Sequence, residues 1–264
     1  MKRKLFLSSC EWIAYFYENA QSAAVRVRPP AAPDLPQKLR AVIAGSLPAW
    51  QLGETSDGRH LRAAARQYAE AQNDPAFLSA VELFIREEQR HGVALGEWLD
   101  LVGIPRKHRD LGDSLFRFCR YAIPNYAVWA SVVVMVESMA EIYYSALRRL
   151  SPCPRLRSEC ERILCDEVRH IQFQCEHLAA SRRRLPEFLR AGISLVESVF
   201  YGVVCTAVWM AHGPLLRCSG LSVWDFTKAA RMKFHVTQRL MNPARYDFPR
   251  EWKRPAVFPI RVRD

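Results

Sequence analysis

The sequence has 264 residues, of which half are apolar, and a formal net charge of +11. This length corresponds to one large domain or two small ones, with enough apolar side chains for a sizeable core. The positive charge permits an acidic partner, such as a reductase, a carrier protein, a nucleic acid or a membrane surface, without choosing among them. The eight cysteines form no C-x-x-C pair, which argues against a zinc knuckle and is typical of reduced thiols in a cytoplasmic protein.

The apolar stretches of the chain are too short or too interrupted to indicate membrane insertion. Near the N-terminus, a core of only three apolar residues follows the basic start, which is too short for a signal peptide. Glu137 and Glu197 interrupt the two most apolar internal stretches, so no uninterrupted apolar run reaches transmembrane length. We therefore expect a cytoplasmic protein without a membrane span.

Long helical patterns and few alternating stretches predict an all-α protein. Residues 1–35 are expected to hold a short aromatic helix at about 8–20, lying across the rest, and a proline-rich linker. Residues 36–185 are expected to form a four-helix bundle. Its helices are predicted at about 36–71, with a kink at Pro48, at Pro75–Val102, from 113 or 125 to 149, and at 155–182.

The segment 186–241 is predicted to add two helices to the bundle, at about 187–211 and 222–240, before an extended basic tail at 242–264. The first of these two helices is apolar almost all round. Such a helix must be buried, either behind the bundle or in a subunit interface. We therefore expect a homo-oligomer, most simply a homodimer.

Two copies of one short pattern stand out in the bundle segment. They are Glu87-Glu88-Gln89-Arg90-His91 and Asp166-Glu167-Val168-Arg169-His170. In each, a Glu and a His lie three residues apart and therefore on one face of a helix. Each helix can thus offer a carboxylate and an imidazole to the same point.

The positions of two predicted turns indicate which upstream acids lie beside these Glu–His pairs in the bundle. The midpoint of Glu54 and Glu88 is residue 71, beside the turn signal Ala-Gln-Asn-Asp-Pro at 71–75. The midpoint of Glu137 and Glu167 is residue 152, within Ser-Pro-Cys-Pro-Arg at 151–155. Residues equidistant from the turn of an antiparallel helix pair lie side by side, so each pair gains one further carboxylate.

Two alternatives fit the same turns. Asp57 lies one turn beyond Glu54, which we favour as the ligand, and Glu141 lies one turn beyond Glu137 as an extra ligand or an outer acid. Glu137 stands in an almost wholly apolar stretch, where a carboxylate is costly unless it is paired or bound to a metal.

The resulting set of candidate ligands contains four carboxylates and two imidazoles. Such a set suits two first-row metal ions, most often two iron ions, alternatively manganese or a mixed iron–manganese pair. The predicted ligands are Glu54, Glu88, His91, Glu137, Glu167 and His170.

The remaining residues of the two patterns are predicted to support the ligands. Asp166 and Glu87 are each expected to accept a proton from the second ring nitrogen of a histidine across the site. Arg169 and Arg90 are expected to hold those two acids as charge-assisted pairs.

A pocket is predicted beside the ligands, with aromatic and aliphatic walls that suit an apolar or aromatic small molecule. Its expected lining residues are Trp50, Gly58, Phe84, Leu95, Trp129, Val133 and Tyr144.

The paired patterns resemble those of soluble acyl-carrier-protein desaturases, and bacterial multicomponent monooxygenases use similar ones. The resemblance covers the four-helix core, about half the chain. It implies a ferritin-like four-helix bundle that binds two iron ions, receives electrons from an external donor, activates dioxygen and oxidises a free or carrier-bound substrate.

Many such oxygenases carry a Thr one turn past the third-helix Glu. Ala140 and Glu141 stand there instead, which is similar to peroxidase-like or N-oxygenating relatives.

Three other functions are compatible with the same site. They are a tRNA-modifying di-iron hydroxylase, which the charge permits without favouring it, a manganese catalase-like enzyme, and a non-enzymatic iron-binding protein. A stable tyrosyl radical is not expected, because no tyrosine is predicted close to the ligands. Leu95, which cannot hold a radical, occupies the position one turn past His91. Tyr144 lies about 10 Å from Glu137 along the helix axis.

Overall fold

The computed structural model describes residues 4–22, 35–110 and 125–248. Most of this part of the chain is helical, as predicted. Most of the linker, the alternative start of the third helix at residue 113 and most of the tail lie outside the described residues. The helices are α1 Ser9–Ser22, α2 Gln37–Ala44, α3 Leu47–Glu54, α4 Arg59–Gln72, α5 Ala76–Leu101, α6 Tyr126–Leu150, α7 Pro154–Arg182, α8 Glu187–Cys218 and α9 Val223–Leu240.

A two-residue parallel pairing joins the two ends of the described chain. Strand β1, Lys4–Leu5, pairs with strand β2, Tyr246–Asp247, which follows the short 3-10 helix Pro243–Arg245. The pairing holds the N-terminal segment close to the last described residues.

The prediction of one kinked helix over residues 36–71 is wrong, because three helices occupy that segment. The first break is at Gly45 and Ser46, and Pro48 then lies in the first turn of α3, where a missing N–H costs nothing. The second break is the loop of residues 55–58. It ends at Gly58, whose φ of 68° is in the left-handed region that favours glycine.

The bundle consists of α3 and α4, which together replace the first predicted helix, followed by α5, α6 and α7. α4 and α5 are joined at Asn73, which ends α4 in a left-handed conformation, and α6 and α7 are joined by residues 151–153. Both connections lie where the turn signals predict them. α1 packs along α5.

Two apolar clusters fill the interior, and both span α5, α6 and α7. One contains the early part of α5 and α6 and the late part of α7, with Phe77, Trp129 and Phe173 among its members. The other contains the opposite ends, with Trp98, Tyr143 and Leu156. The two E-x-x-H segments lie between these clusters on their helices, so the polar residues form a buried layer across the middle of the bundle.

Helix α8 is exposed over much of its length, so the first predicted alternative, burial behind the bundle, is wrong, and the second, burial in a subunit interface, stays a prediction. One side packs on α6, while Phe188 is 73% exposed and Met210 is 78% exposed on the other side. The only acid between its first turn and its last is Glu197, which is buried and paired with Arg182 of α7.

Two described helices are long and apolar enough to cross a membrane by length and composition, although we expected none. In α6, 72% of the most apolar window is buried inside the fold, as in the core helix of a compact protein. In α8 the corresponding share is 11%. The burial of α6 accounts for its apolar character, whereas α8 needs a separate explanation.

Gly58 provides a test of the second helix break. A Cβ at this position would lie 2.7 Å from the Cδ1 atom of Ile85 and would face a positive φ. Gly58→Ala is therefore expected to lower the free energy of unfolding by about 1–2 kcal/mol or more. Gly53→Ala is the matched control, because its Cβ would meet no atom of the described residues within 4 Å. Urea denaturation followed by circular dichroism measures both, and equal stability of the two variants would contradict the account.

Candidate metal centre

The six predicted ligands lie together in the buried layer, in two overlapping groups. One group is Glu54, Glu88, His91 and Glu167, and the other is Glu88, Glu137, Glu167 and His170. Within each group, one ligand atom of every residue lies within 4.8 Å of the others. Glu88 and Glu167 belong to both groups, as expected of carboxylates that bridge two metal ions.

Four helices supply these side chains. Glu54 is the last residue of α3, whereas the other ligands lie in the middle of α5, α6 and α7. Gly92 lets α3 approach α5 closely, because a Cβ there would lie 3.2 Å from the Glu54 backbone. The Gln51 amide also donates a hydrogen bond to the Gly92 carbonyl at 3.1 Å. The end of α3 is thus fixed against the helix that carries Glu88 and His91.

The buried polar atoms of the site fit a bound cation. Nδ1 of His91 and one carboxylate oxygen each of Glu137 and Glu167 are buried without a hydrogen-bond partner among the described residues. Nδ1 of His170 and Oε1 of Glu88 form a close ion pair at 2.6 Å, but neither atom has a hydrogen-bond partner in the described part of the chain. Buried donors and acceptors are rarely left unpaired, so their convergence supports a metal site.

The electrostatics of the site lead to the same conclusion. Burial, with the Glu88 and Glu167 carboxylates, raises the pKa of Glu54 and Glu137 well above the usual range. Burial and Glu88 raise the pKa of Glu167 to about 7. Burial favours neutral His170, but the surrounding carboxylates, Glu88 foremost, raise its pKa well above its usual value. The charged forms of these three acids are thus disfavoured unless a cation lies among them, whereas, against the effect of burial, the imidazoles lower the pKa of Glu88 to about 2.

Each histidine is oriented by an acid from the other motif. Nε2 of His91 lies 2.9 Å from Asp166, and Nε2 of His170 lies 2.9 Å from Glu87. This is the crossed arrangement that the motifs predict, and it turns both Nδ1 atoms toward the carboxylates. That these acids support metal ligands stays a prediction.

The acids themselves have a partner that sequence reasoning missed. The Asn19 amide, from α1, donates to Glu87 at 2.5 Å and to Asp166 at 2.8 Å. Arg90 contacts Glu87 as expected. Arg169 does not hold Asp166. Its guanidinium donates to Gln172 and lies over the Tyr15 ring, 4.5 Å from the ring centroid.

Two further side chains hold the outer carboxylates. Gln174, one helical turn after His170, donates to Glu137 at 2.6 Å. Tyr144 donates its hydroxyl proton to Glu54 at 2.6 Å. The distance from Glu137 along the helix axis does not show how close Tyr144 lies to the centre. The carboxylate that Tyr144 contacts is Glu54, which belongs to α3. Tyr144 contacts a candidate ligand directly, and the distance argument against its participation fails.

The two alternative acids lie away from the centre. Asp57 is exposed and pairs with Arg59 at 2.5 Å, so its expected supporting role is wrong. Glu141 is buried but pairs with Lys233 of α9 at 2.7 Å, and it belongs to neither ligand group. These positions favour Glu54 and Glu137 as the ligands.

A cavity of about 60 Å³ opens beside Glu54, Glu88 and Glu137. Four predicted pocket residues line it, namely Gly58, Phe84, Trp129 and Val133. Three others do not line it. Leu95 is part of the apolar core, Trp50 stacks on Tyr143 at 4.7 Å between ring centroids, and Tyr144 bonds to Glu54. Gly53, Ser56, His60, Leu61 and Ile85 complete the wall.

Comparison with known proteins gives matches only among solved structures. No family model matches the sequence, and no curated protein matches it. A point mutant of an R2-like ligand-binding oxidase, with an aerobically reconstituted Mn/Fe cofactor, is 20% identical with a TM-score of 0.59, over 89% of this chain and 93% of its own. A second point mutant, with an anaerobically reconstituted Mn/Fe cofactor, is 18% identical with a TM-score of 0.57, over 88% and 94%.

A third structure of this kind, an R2-like ligand-binding oxidase without metal cofactor, has a TM-score of 0.51. The chain has the fold of the R2-like ligand-binding oxidases. The predicted ferritin-like helical architecture is thereby confirmed, and the buried carboxylate and histidine groups suit a dinuclear metal site within that fold.

Substitution of a ligand that belongs to both groups is expected to affect metal binding more than substitution of a ligand that belongs to one group. Glu167→Gln removes a carboxylate from both groups and should abolish binding of both metal ions, whereas Glu54→Gln should leave one ion bound. Asp57→Asn is the matched control and should retain two. Elemental analysis after reconstitution and desalting gives the ratios. Two ions in Glu167→Gln would refute the assignment.

The hydrogen bond from His91 to Asp166 predicts a graded effect. Asp166→Asn removes the negative charge behind His91 but keeps an acceptor in place. Metal affinity should fall by about 10–100-fold with unchanged helix content. Competition with a chromophoric chelator measures the affinity, and an affinity equal to that of Asp57→Asn would show that Asp166 does not support the site.

Proposed function

We propose that this protein is an oxygen-activating oxidase that holds a pair of iron ions, or one manganese and one iron ion, in the buried layer. The observation that carries the proposal is the position of the two ligand groups at the base of a cavity with apolar walls. A storage site needs no such cavity. A bound metal pair of this kind supplies the electrons that reduce dioxygen.

The residues of this chain would orient the centre and shield it. Glu88 and Glu167, which belong to both ligand groups, would help to hold both ions, while Glu87 and Asp166 orient the two imidazoles through their Nε2 atoms. Tyr144 holds a proton on Oη beside Glu54, where it can pass to that carboxylate. Phe84 and Trp129 exclude water from the cavity side.

The size of the cavity limits which molecules can reach the candidate metal ligands in this conformation. About 60 Å³ corresponds to roughly two water molecules at about 30 Å³ each, which is enough for dioxygen. Drug-sized ligands need roughly 300–1,000 Å³. An apolar substrate would therefore enter only if the loop of residues 55–58 moved away from α5.

The mouth of the cavity suits a substrate with an acidic group. His60 lines the wall, and Arg59 and Arg62 lie within two residues of it on the same helix. Arg59 is paired with Asp57, and Arg62 donates to the Asp57 carbonyl at 2.6 Å. This partly neutralised rim supports a small molecule, free or attached to an acidic carrier, over a nucleic acid. The external electron donor and the homodimer stay predictions.

Oxygen uptake tests the proposal. Protein loaded anaerobically with two equivalents of ferrous iron, or one each of manganese and iron, should consume dioxygen several times faster than the same metals in buffer. Glu167→Gln should match the buffer rate. Disproportionation of hydrogen peroxide by manganese-loaded protein, without oxygen uptake, would replace the proposal with the catalase-like function.

Val133→Phe examines the role of the cavity. The larger ring should fill most of the space beside Glu137 and slow oxygen uptake while two metal ions remain bound. Val128→Phe is the matched control on the same helix, because Val128 is 37% exposed and does not line the cavity. Equal rates in the two variants would show that dioxygen reaches the centre by another path.

A further inference from the structure

Helix α8 carries a continuous uncharged surface that no described part of the chain covers. From Phe188 to Pro214 its outer residues recur at spacings of three and four, as on one face of a helix. We call this surface the α8 face. It comprises Phe188, Gly192, Leu195, Val196, Val199, Gly202, Val203, Thr206, Ala207, Met210 and Pro214. Its larger side chains are 58–78% exposed, far beyond the isolated apolar residues of an ordinary surface.

We propose that the α8 face is the interface of a homodimer, in which two copies of α8 pack antiparallel about a two-fold axis. A two-fold interface must be self-complementary, since each residue i faces residue j of the partner and residue j faces i. Phe188 and Pro214 bound the face, and their midpoint, (188+214)/2, is residue 201. The axis therefore passes close to Gly202.

This register places large side chains opposite small ones. Residues whose numbers sum to 402 face each other, so Met210 faces Gly192 of the partner subunit, and Leu195 faces Ala207 of the partner subunit. A Cβ added at Gly192 or Gly202 would meet no described atom within 4 Å. The glycines therefore leave room for the partner's side chains, as knobs-into-holes packing requires.

The charges at the two ends of the α8 face are complementary in the same register. Glu187 precedes the face and Arg217 follows it, and both are exposed. Their numbers sum to 404, whereas residues that face each other sum to 402. The two charged residues therefore lie within two residues of direct opposition. An antiparallel pair thus brings Glu187 beside Arg217 of the partner subunit at both ends, and it also sets the two helix dipoles in opposition.

The size of the α8 face is sufficient for a specific dimer. Twenty-six residue steps from Phe188 to Pro214 correspond to about 39 Å at 1.5 Å per residue. Half the surface of a cylinder of that length and about 5.5 Å radius has an area on the order of 700 Å². Specific interfaces bury about 800 Å² per partner.

A membrane surface is the competing occupant, and the composition of the α8 face argues against it. Helices that lie in a membrane interface present large apolar side chains flanked by lysine and arginine. At the centre of the α8 face, Gly202, Thr206 and Ala207 lie between exposed valines. Small residues there favour close packing of two helices.

A charge pair placed across the axis tests the register. Val196→Glu and Thr206→Lys lie at positions that face each other, since 196+206=402. Each variant alone should weaken the dimer by at least about tenfold, because an unpaired charge is buried. An equimolar mixture of the two should form a heterodimer with affinity close to that of the unmodified protein. Sedimentation equilibrium measures all three.

Two controls make the result specific. Val199→Lys lies on the same face but outside the register with residue 196, and it should not rescue Val196→Glu. Tyr17→Glu changes an exposed aromatic residue on α1 and should leave the dimer intact. Metal content should stay at two ions in every variant, which separates this proposal from the proposed function.

Three outcomes would overturn the proposal. One is an unmodified protein that remains monomeric at high micromolar concentration. Another is a Val196→Glu variant that dimerises normally. The third is a monomer that floats with vesicles of phosphatidylserine and phosphatidylcholine and loses that binding in Val196→Glu, which would assign the α8 face to a membrane.

Discussion

The concentration of negative charge in the middle of the bundle is the constraint on which the rest of the structure depends. Two carboxylates at 4.8 Å repel each other by about 3–4 kcal/mol at an effective dielectric constant of 20. Four such groups, buried between two apolar clusters, are tolerable only with protons or cations among them. The supporting shell of Asn19, Glu87, Asp166 and Gln174 fixes where those cations would lie.

The breaks in the first bundle helix follow from the same centre. The first bundle helix is broken beside Glu54, where the loop residues Ser56 and Gly58, together with Gly53 of α3, line the cavity. Gly58 can approach Ile85 only because it has no Cβ. The loop therefore gives up helical hydrogen bonds and leaves a cavity beside the candidate ligands.

Sequence reasoning predicts well where the motifs lie and which residues lie beside them along the bundle axis, because both depend on local periodicity and on turns. The E-x-x-H spacing and the two turn signals are enough to group Glu54 and Glu137 with the motif residues. The same reasoning misses Asn19, which comes from a helix outside the bundle and has no motif. It also misassigns Arg169, since nothing local shows that Tyr15 lies beside it. Contacts between distant segments carry no periodic signal.

The apolar character of α8 is evident from sequence, but its meaning is not. Apolar composition is the same whether a helix is buried by its own chain, by a second copy or by lipid, and only the structure shows that one face lacks a cover among the described residues. The inner face of α8 touches α6 through Cys205, whose sulfur lies 3.8 Å from that of Met139. Met139 is two residues from Glu137. The contact between α8 and α6 therefore lies within one helical turn of Glu137, so the packing of α8 helps to position the helix that carries this candidate ligand.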